Sequence, residues 1–186
     1  MNAKISRARF GGYLVAAGTV VLAAKILLAD DDTRSDLEAR VDRVADELAV
    51  QRVLYDYGYH LDNGDWASYA SLFGETGRWE GGLGAAIGPE AIEKMLTESL
   101  GPPREHSEMH RTMHLMTNPR IDVDENGVTA TSVSKYTFVV TGTDGEPELR
   151  IHAHYTDRLV EEADGWKIME RKVQHDIFRP NPMSDL

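Results

Sequence analysis

The chain has 186 residues, of which 41% are hydrophobic and 27% charged, ordinary proportions for a globular domain that exclude a disordered chain and a polytopic membrane protein. Its formal charge is −11, and because residues 1–29 carry four basic side chains and no acidic one, the remainder stands at −15; a surface that acidic repels phosphate backbones, so no nucleic-acid partner is expected. The lack of cysteine removes disulfides, thiol nucleophiles and thiolate metal sites together.

At the N-terminus Lys4, Arg7 and Arg9 precede an uncharged run from Phe10 to Ala24, closed by Lys25-Ile-Leu-Leu-Ala29 and Asp30-Asp31-Asp32. A basic stretch followed by an apolar one of this length predicts either a signal peptide, with an exported (periplasmic or secreted) product, or an uncleaved anchor. In both cases the segment contacts the membrane, before or without cleavage. The alternative is a buried or disordered N-terminal helix of a cytoplasmic protein. The expected organisation is 1–34, export or anchor segment with a short acidic linker; 35–46, a helical stalk; 47–180, the folded domain; and 181–186, a tail.

Ser35-Asp-Leu-Glu38 has the capping-box pattern, so a helix is predicted to start there. Leu37, Val41, Val44 and Leu48 follow at spacings of four, three and four, and the apolar stripe changes phase near Val50, where a stalk gives way to a core-facing half. Asn63-Gly64 suits a left-handed cap, and Asp65 can cap a short helix over Trp66 to Phe73. Gly77 to Glu80 reads as a short strand, Gly81 to Gly88 as a loop or irregular hairpin, and Pro89 to Leu100 as a helix with proline in its first turn. Four long strands are then predicted: Met113 to Val123, Val128 to Thr141, Leu149 to Val160 and Trp166 to Phe178. Turns at Glu125-Asn-Gly127, Asp144-Gly145 and Asp164-Gly165 separate them. Three helices followed by a strand meander make an α+β domain, helices packed on a curved antiparallel sheet.

Two residues invite a chemical reading. Asp62 sits at the C-terminal end of a helix, where the macrodipole disfavours a carboxylate; it either bonds backbone amides in the turn or orients a histidine. His114 opens His114-Leu-Met-Thr-Asn118 and is either a satisfied structural histidine or an acid–base group whose tautomer a carboxylate fixes. His106, His110 and His114 recur every four residues, yet Pro102-Pro103 makes their segment a loop, so a zinc site is not expected and no metal ligand is assigned. Alternation places Ile151, Ala153, Tyr155, Asp157 and Leu159 on one sheet face and His152, His154, Thr156 and Arg158 on the other. That leaves Asp157 among apolar neighbours, as a pocket polar group or a partner of Arg171 or Lys172 on the next strand. Trp66, Phe73, Trp79 and Trp166 read as core.

Gln51 to Phe73, Gly88-Pro-Glu-Ala-Ile92, His114-x-x-Thr-Asn118 and Asp164-Gly-Trp-Lys-Ile168 together resemble the SnoaL-like branch of the nuclear transport factor 2-like superfamily, over roughly residues 45–178. The branch includes scytalone dehydratase, bile acid 7α-dehydratase, hexachlorocyclohexane dehydrochlorinase, polyketide cyclases and ketosteroid isomerase. The resemblance implies a cone-shaped α+β barrel. It also implies that Asp62 and His114 match an Asp-His dyad and that Tyr57 matches a hydroxyl-donating pocket tyrosine, with Tyr55, Asn118, Tyr136, Tyr155 and Asp157 as the expected substrate-contacting set. Gly81 stands where the isomerases carry a carboxylate base, and the strand Val128 to Thr141 lacks the second histidine of scytalone dehydratase, so neither of those specific activities is implied. The expectation is a lyase of dehydratase type, needing no cofactor, that eliminates from a small, largely apolar cyclic molecule such as a steroid, terpenoid or polyketide. An isomerase or cyclase with the same dyad, or a non-catalytic exported ligand-binding domain, is the alternative. A homodimer or homotrimer is the assembly implied.

Overall fold

The structure is a computed structural model that describes the backbone at residues 11–104 and 112–178; the side chains of 11–30, 32, 177 and 178 lie outside the description. The chain divides into two compact units, residues 1–42 and 43–186.

Helix α1 spans Gly11–Asn63. The predicted start at Ser35 is thus corrected. No proline precedes Pro89, so nothing breaks the ladder, and Glu38 is engaged by the Arg34 guanidinium at 2.9 Å as an exposed i,i+4 pair rather than as a cap. In the first unit the side chains of Leu37 and Val41 are exposed. Among the described residues no helix is long and apolar enough to cross a membrane. That finding overturns the membrane contact expected of the N-terminal segment and the membrane-anchored placement built on it, and does not bear on export. Residues 1–10, the tail 181–186, and His106 and His110 of the weighed zinc triplet lie outside the described residues.

In the second unit Val44 and Leu48 are exposed and burial begins at Val50, continuing through Leu54 and Tyr57. A one-residue phase change on a 3.6-residue helix turns the apolar stripe from solvent to core. Gly64 adopts φ 67° and ends α1. Helix α2 (Trp66–Ser71) starts at Asp65, whose carboxylate accepts from the Ser68 amide. It stops before Phe73, which opens β1 (Phe73–Gly81). Strand β2 (Gly84–Ile87) completes a hairpin, and α3 (Pro89–Leu100) buries Ile92 and Leu96, one turn apart. Strands β3 (Thr112–Val123), β4 (Thr129–Thr141), β5 (Pro147–Glu162) and β6 (Gly165–Phe178) follow. Gly127, Gly145 and Gly165 at the three turns all have positive φ, where an L side chain would be strained.

The expected barrel is corrected. The strands form one mixed six-stranded sheet in the order β2-β1-β6-β5-β4-β3, and the sheet is open. β1 runs parallel to β6 while every other pair is antiparallel. A barrel needs its two edges to exchange ladder hydrogen bonds, and here the edges are four-residue β2 and twelve-residue β3, at opposite ends of the order. The β1–β2 hairpin, read from sequence as a short strand and a loop or irregular hairpin, adds on beyond β6. The helices cover one face of this sheet, and the core lies between: Ala153, Tyr155 and Leu159 on β5 and Tyr136, Phe138 and Val140 on β4 are all buried.

Candidate active site

The C-terminal turn of α1 passes beside the start of β3. Gly58 makes this approach close: a Cβ on it would stand 3.7 Å from the His114 carbonyl oxygen and 3.6 Å from the Met116 side chain. One helical turn later, Asp62 projects from the same face. Its carboxylate is used twice on one residue. Oδ2 accepts from the His114 backbone N–H at 2.8 Å, and Oδ1 lies 2.6 Å from His114 Nδ1. An ionised carboxylate only accepts, so facing one Nδ1 carries a hydrogen, and in the neutral ring Nε2 then keeps its lone pair. The backbone bond fixes where β3 sits; the ring bond fixes the tautomer. Both side chains are largely buried, at 14% exposure for His114 and 17% for Asp62.

The imidazole faces a cavity of about 350 Å³, within the size range of small-molecule sites. The His114 ring lies 4.6 Å from that of Phe138 and 5.8 Å from that of Tyr136. Tyr136 in turn stacks on Tyr155, 4.4 Å between centroids and 11° between planes. Tyr57 is buried on the wall, and its hydroxyl accepts from the Trp79 indole at 2.9 Å. The Tyr69 hydroxyl also bonds the Tyr57 oxygen, a contact that favours protonated Tyr69, so with both lone pairs engaged the phenolic hydrogen is the group Tyr57 has to offer. Burial raises the pKa of Tyr69, Tyr136 and Tyr155 well above that of a free phenol, Tyr57 adding to each. All three are neutral hydroxyls at any working pH.

Beneath this wall lies a buried ion pair. Arg171 on β6 binds Asp157 on β5 through two hydrogen bonds, 2.6 and 2.8 Å, with both side chains fully buried. Ser132 on β4 donates to the same carboxylate at 2.8 Å. The guanidinium carbon stands 3.8 Å from the Tyr57 ring centre and 4.5 Å from that of Tyr155, a cation held against two π faces. Its Nη1 is buried with no hydrogen-bond partner among the described residues.

The structure therefore brings His114, Tyr57, Tyr136 and Tyr155 to one cavity, with Asp62 directly behind the histidine. The other expected residues lie elsewhere. Tyr55 is 46% exposed on the outer side of α1 and lines no part of the cavity. Asn118 is exposed on β3 with φ 50°, within the register shift between Thr117 and Arg120. Asp157 is consumed by Arg171 and Ser132. Among the wall residues unread in the sequence are His175 on β6 and Trp79, read there only as core. The signal for His175 was the alternation Arg171, Val173, His175, which puts all three on one face of β6. Among the described residues no group of three or more His, Cys, Asp or Glu could hold a metal ion.

Known proteins share this arrangement of elements. A candidate scytalone dehydratase from Novosphingobium aromaticivorans is 24% identical over 75% of this chain and 90% of its own, with a TM-score of 0.61. A hexachlorocyclohexane dehydrochlorinase from Novosphingobium barchaimii is 23% identical over 76% and 93%, at 0.60. A function-unknown protein from Mycobacterium tuberculosis is 23% identical over 73% and 74%, at 0.59. Identities this low speak for the fold alone. No functionally curated protein matches the chain. The model of the SnoaL-like domain matches residues 42–172, most of the chain and both Asp62 and His114, and the protein belongs to that family.

Proposed function

We propose that the protein is a lyase that removes a leaving group, water foremost, from a small, largely apolar cyclic molecule by β-elimination. The observation that carries this reading is the double use of Asp62, which leaves His114 Nε2 as a preorganised base in an aromatic cavity. Nε2 takes the proton from a carbon next to a carbonyl, and the C–H electron pair becomes the new double bond as the C–O bond breaks. The imidazolium, stabilised by Asp62, then returns its proton to the departing oxygen as water. Tyr57 donates its hydroxyl hydrogen to the carbonyl oxygen on which negative charge gathers. Tyr136 and Tyr155 supply a flat aromatic wall for the ring system of the substrate. The chemistry as written needs no cofactor. Relatives of this fold named as a candidate dehydratase and a dehydrochlorinase, both eliminating enzymes, support the reaction class. The same proton abstraction could end in isomerisation, and product structure separates the two.

The test is a screen of hydroxylated cyclic ketones, steroids and terpenoids by mass spectrometry for loss of one water. An active compound is expected to be untouched by His114→Ala and turned over weakly by Asp62→Asn. Full turnover by both variants overturns the mechanism.

A further inference from the structure

Helix α1 carries an apolar face that its own domain leaves open. In the second unit Val44, Leu48, Tyr55 and Tyr59 are 55%, 60%, 46% and 57% exposed, and at 3.6 residues per turn they fall within an arc of about 60°. Val50, Leu54 and Tyr57, which enter the core, point about 140° away from the middle of that arc. The β3–β4 turn also meets the helix on its other side, where a Cβ on Gly127 would stand 3.8 Å from the Asp46 carboxylate. Single exposed apolar side chains need no explanation, but four aligned over about 22 Å of helix form a stripe. The spacing is that of a heptad, with Val44 at d, Leu48 at a, Gln51 at d and Tyr55 at a. In the sequence Leu37 and Val41 hold the preceding d and a positions, and both are exposed within the first unit.

We infer that a second copy of this chain covers the stripe, the two α1 helices running parallel and in register. The charges that flank the stripe select this occupant. Glu47 is a g position and Arg52 the e position that follows it, and in a parallel pair each g residue faces the e residue five further along on its partner. Two-fold symmetry makes the Glu47–Arg52 crossing twice. The preceding crossing sets Arg40 opposite Ala45, so no like charges meet there. Arg52 engages Asp56 through Nε, and its guanidinium has further N–H groups to give. Gln51, in the seam between Leu48 and Tyr55, can bond its own counterpart through the side-chain amide, a pairing that a slipped register loses. A stripe this short buries less than the roughly 1,200 Å² at which stable interfaces begin, so the pair is expected to exchange, with a Kd in the micromolar range.

Sedimentation velocity of the full chain over a dilution series is expected to show monomer and dimer in exchange. Leu48→Glu sets two carboxylates face to face in the seam and should weaken the pair by roughly tenfold or more. Because Leu48 is exposed in the single chain, Tm should stay within about 2 °C. Met113→Glu, on the exposed side of β3, is the control and should leave the pair intact. The chain has no cysteine, so single cysteines report alignment. In the parallel pair Leu48 lies level with its counterpart, and Leu48→Cys should close a disulfide across the two-fold axis under mild oxidation. Ala49→Cys, turned about 100° away, should not. A single monomeric species up to hundreds of micromolar, a trimer, or a dimer that withstands Leu48→Glu overturns the inference. So does a dimer that dissolves with Met113→Glu, or cross-linking of Leu48→Cys no faster than that of Ala49→Cys.

Discussion

At the scale of single residues, the dyad is a problem of tautomer and orientation. Asp62→Asn keeps the shape but replaces one acceptor oxygen with an amide that also donates. The His114 backbone N–H still needs an acceptor, so the remaining oxygen goes to it and the NH₂ faces Nδ1. That pairing stabilises the tautomer with hydrogen on Nε2, the wrong nitrogen for a base. The expected outcome is a fall in kcat of about 10²- to 10⁴-fold with little change in Tm. Long-range ¹H–¹⁵N NMR of the ring reads the tautomer directly: hydrogen on Nδ1 in the parent, on Nε2 in the variant. Tyr57→Phe acts through a different atom. It removes the acceptor of the buried Trp79 indole as well as the hydroxyl offered to substrate. The orphaned donor costs about 1–3 kcal/mol, to be read from urea unfolding. Trp79→Phe in the Tyr57→Phe background should recover part of that loss, because the indole donor is then gone, while the Tyr69 hydroxyl still lacks its Tyr57 partner.

At the scale of elements, the site depends on how closely α1 can pass β3. Gly58 sits at that crossing, and a Cβ there finds its nearest neighbours at 3.6 to 3.8 Å, ordinary van der Waals distances. Gly58→Ala is therefore expected to fit and to raise stability by about 0.5–1 kcal/mol, since glycine is the poorer helix former. Gly58→Leu has no such room; it should push α1 from β3, lengthen the Asp62–His114 contact and lower kcat, checked by denaturation and turnover together. The helices, turns and alternating strands were legible because each is encoded by neighbours in sequence: Asp65 before Trp66, glycine at each turn, period two along β4 and β5. The start of α1 was not. Ser35 and Glu38 form a capping signature, but a cap acts only where a helix has no preceding turn, and that is decided upstream.

At the scale of the whole molecule, the dyad was legible as a resemblance, while closure of the sheet and the wall opposite His114 were not. Whether β2 meets β3 depends on strand lengths and placements separated by the whole domain, and local alternation is the same in a barrel and in an open sheet. His175 joined the cavity wall only through the pairing of β6 with β5, whereas Arg171 is legible from alternation as a partner of Asp157. Their placement makes the Asp157–Arg171 pair the hinge of the molecule's stability. It ties β5 to β6, reaches β4 through Ser132, and carries Tyr57 and Tyr155 on the guanidinium. Arg171→Met keeps the volume and strands a carboxylate in a dry interior, so it should destabilise by about 3–5 kcal/mol, or fail to fold near neutral pH. Adding Asp157→Leu removes the stranded charge, and replacing a whole buried pair with apolar side chains is often neutral, so the double variant should regain most of that loss. A double variant as unstable as Arg171→Met alone would mean that packing of the guanidinium on the two tyrosines, rather than its charge, holds the sheet. With stability regained but the cation gone from beneath Tyr57, the phenol loses the positive charge that favours donation to a developing oxyanion. The double variant is therefore expected to fold and to turn over slowly, which separates the pair's part in the fold from its part in the chemistry.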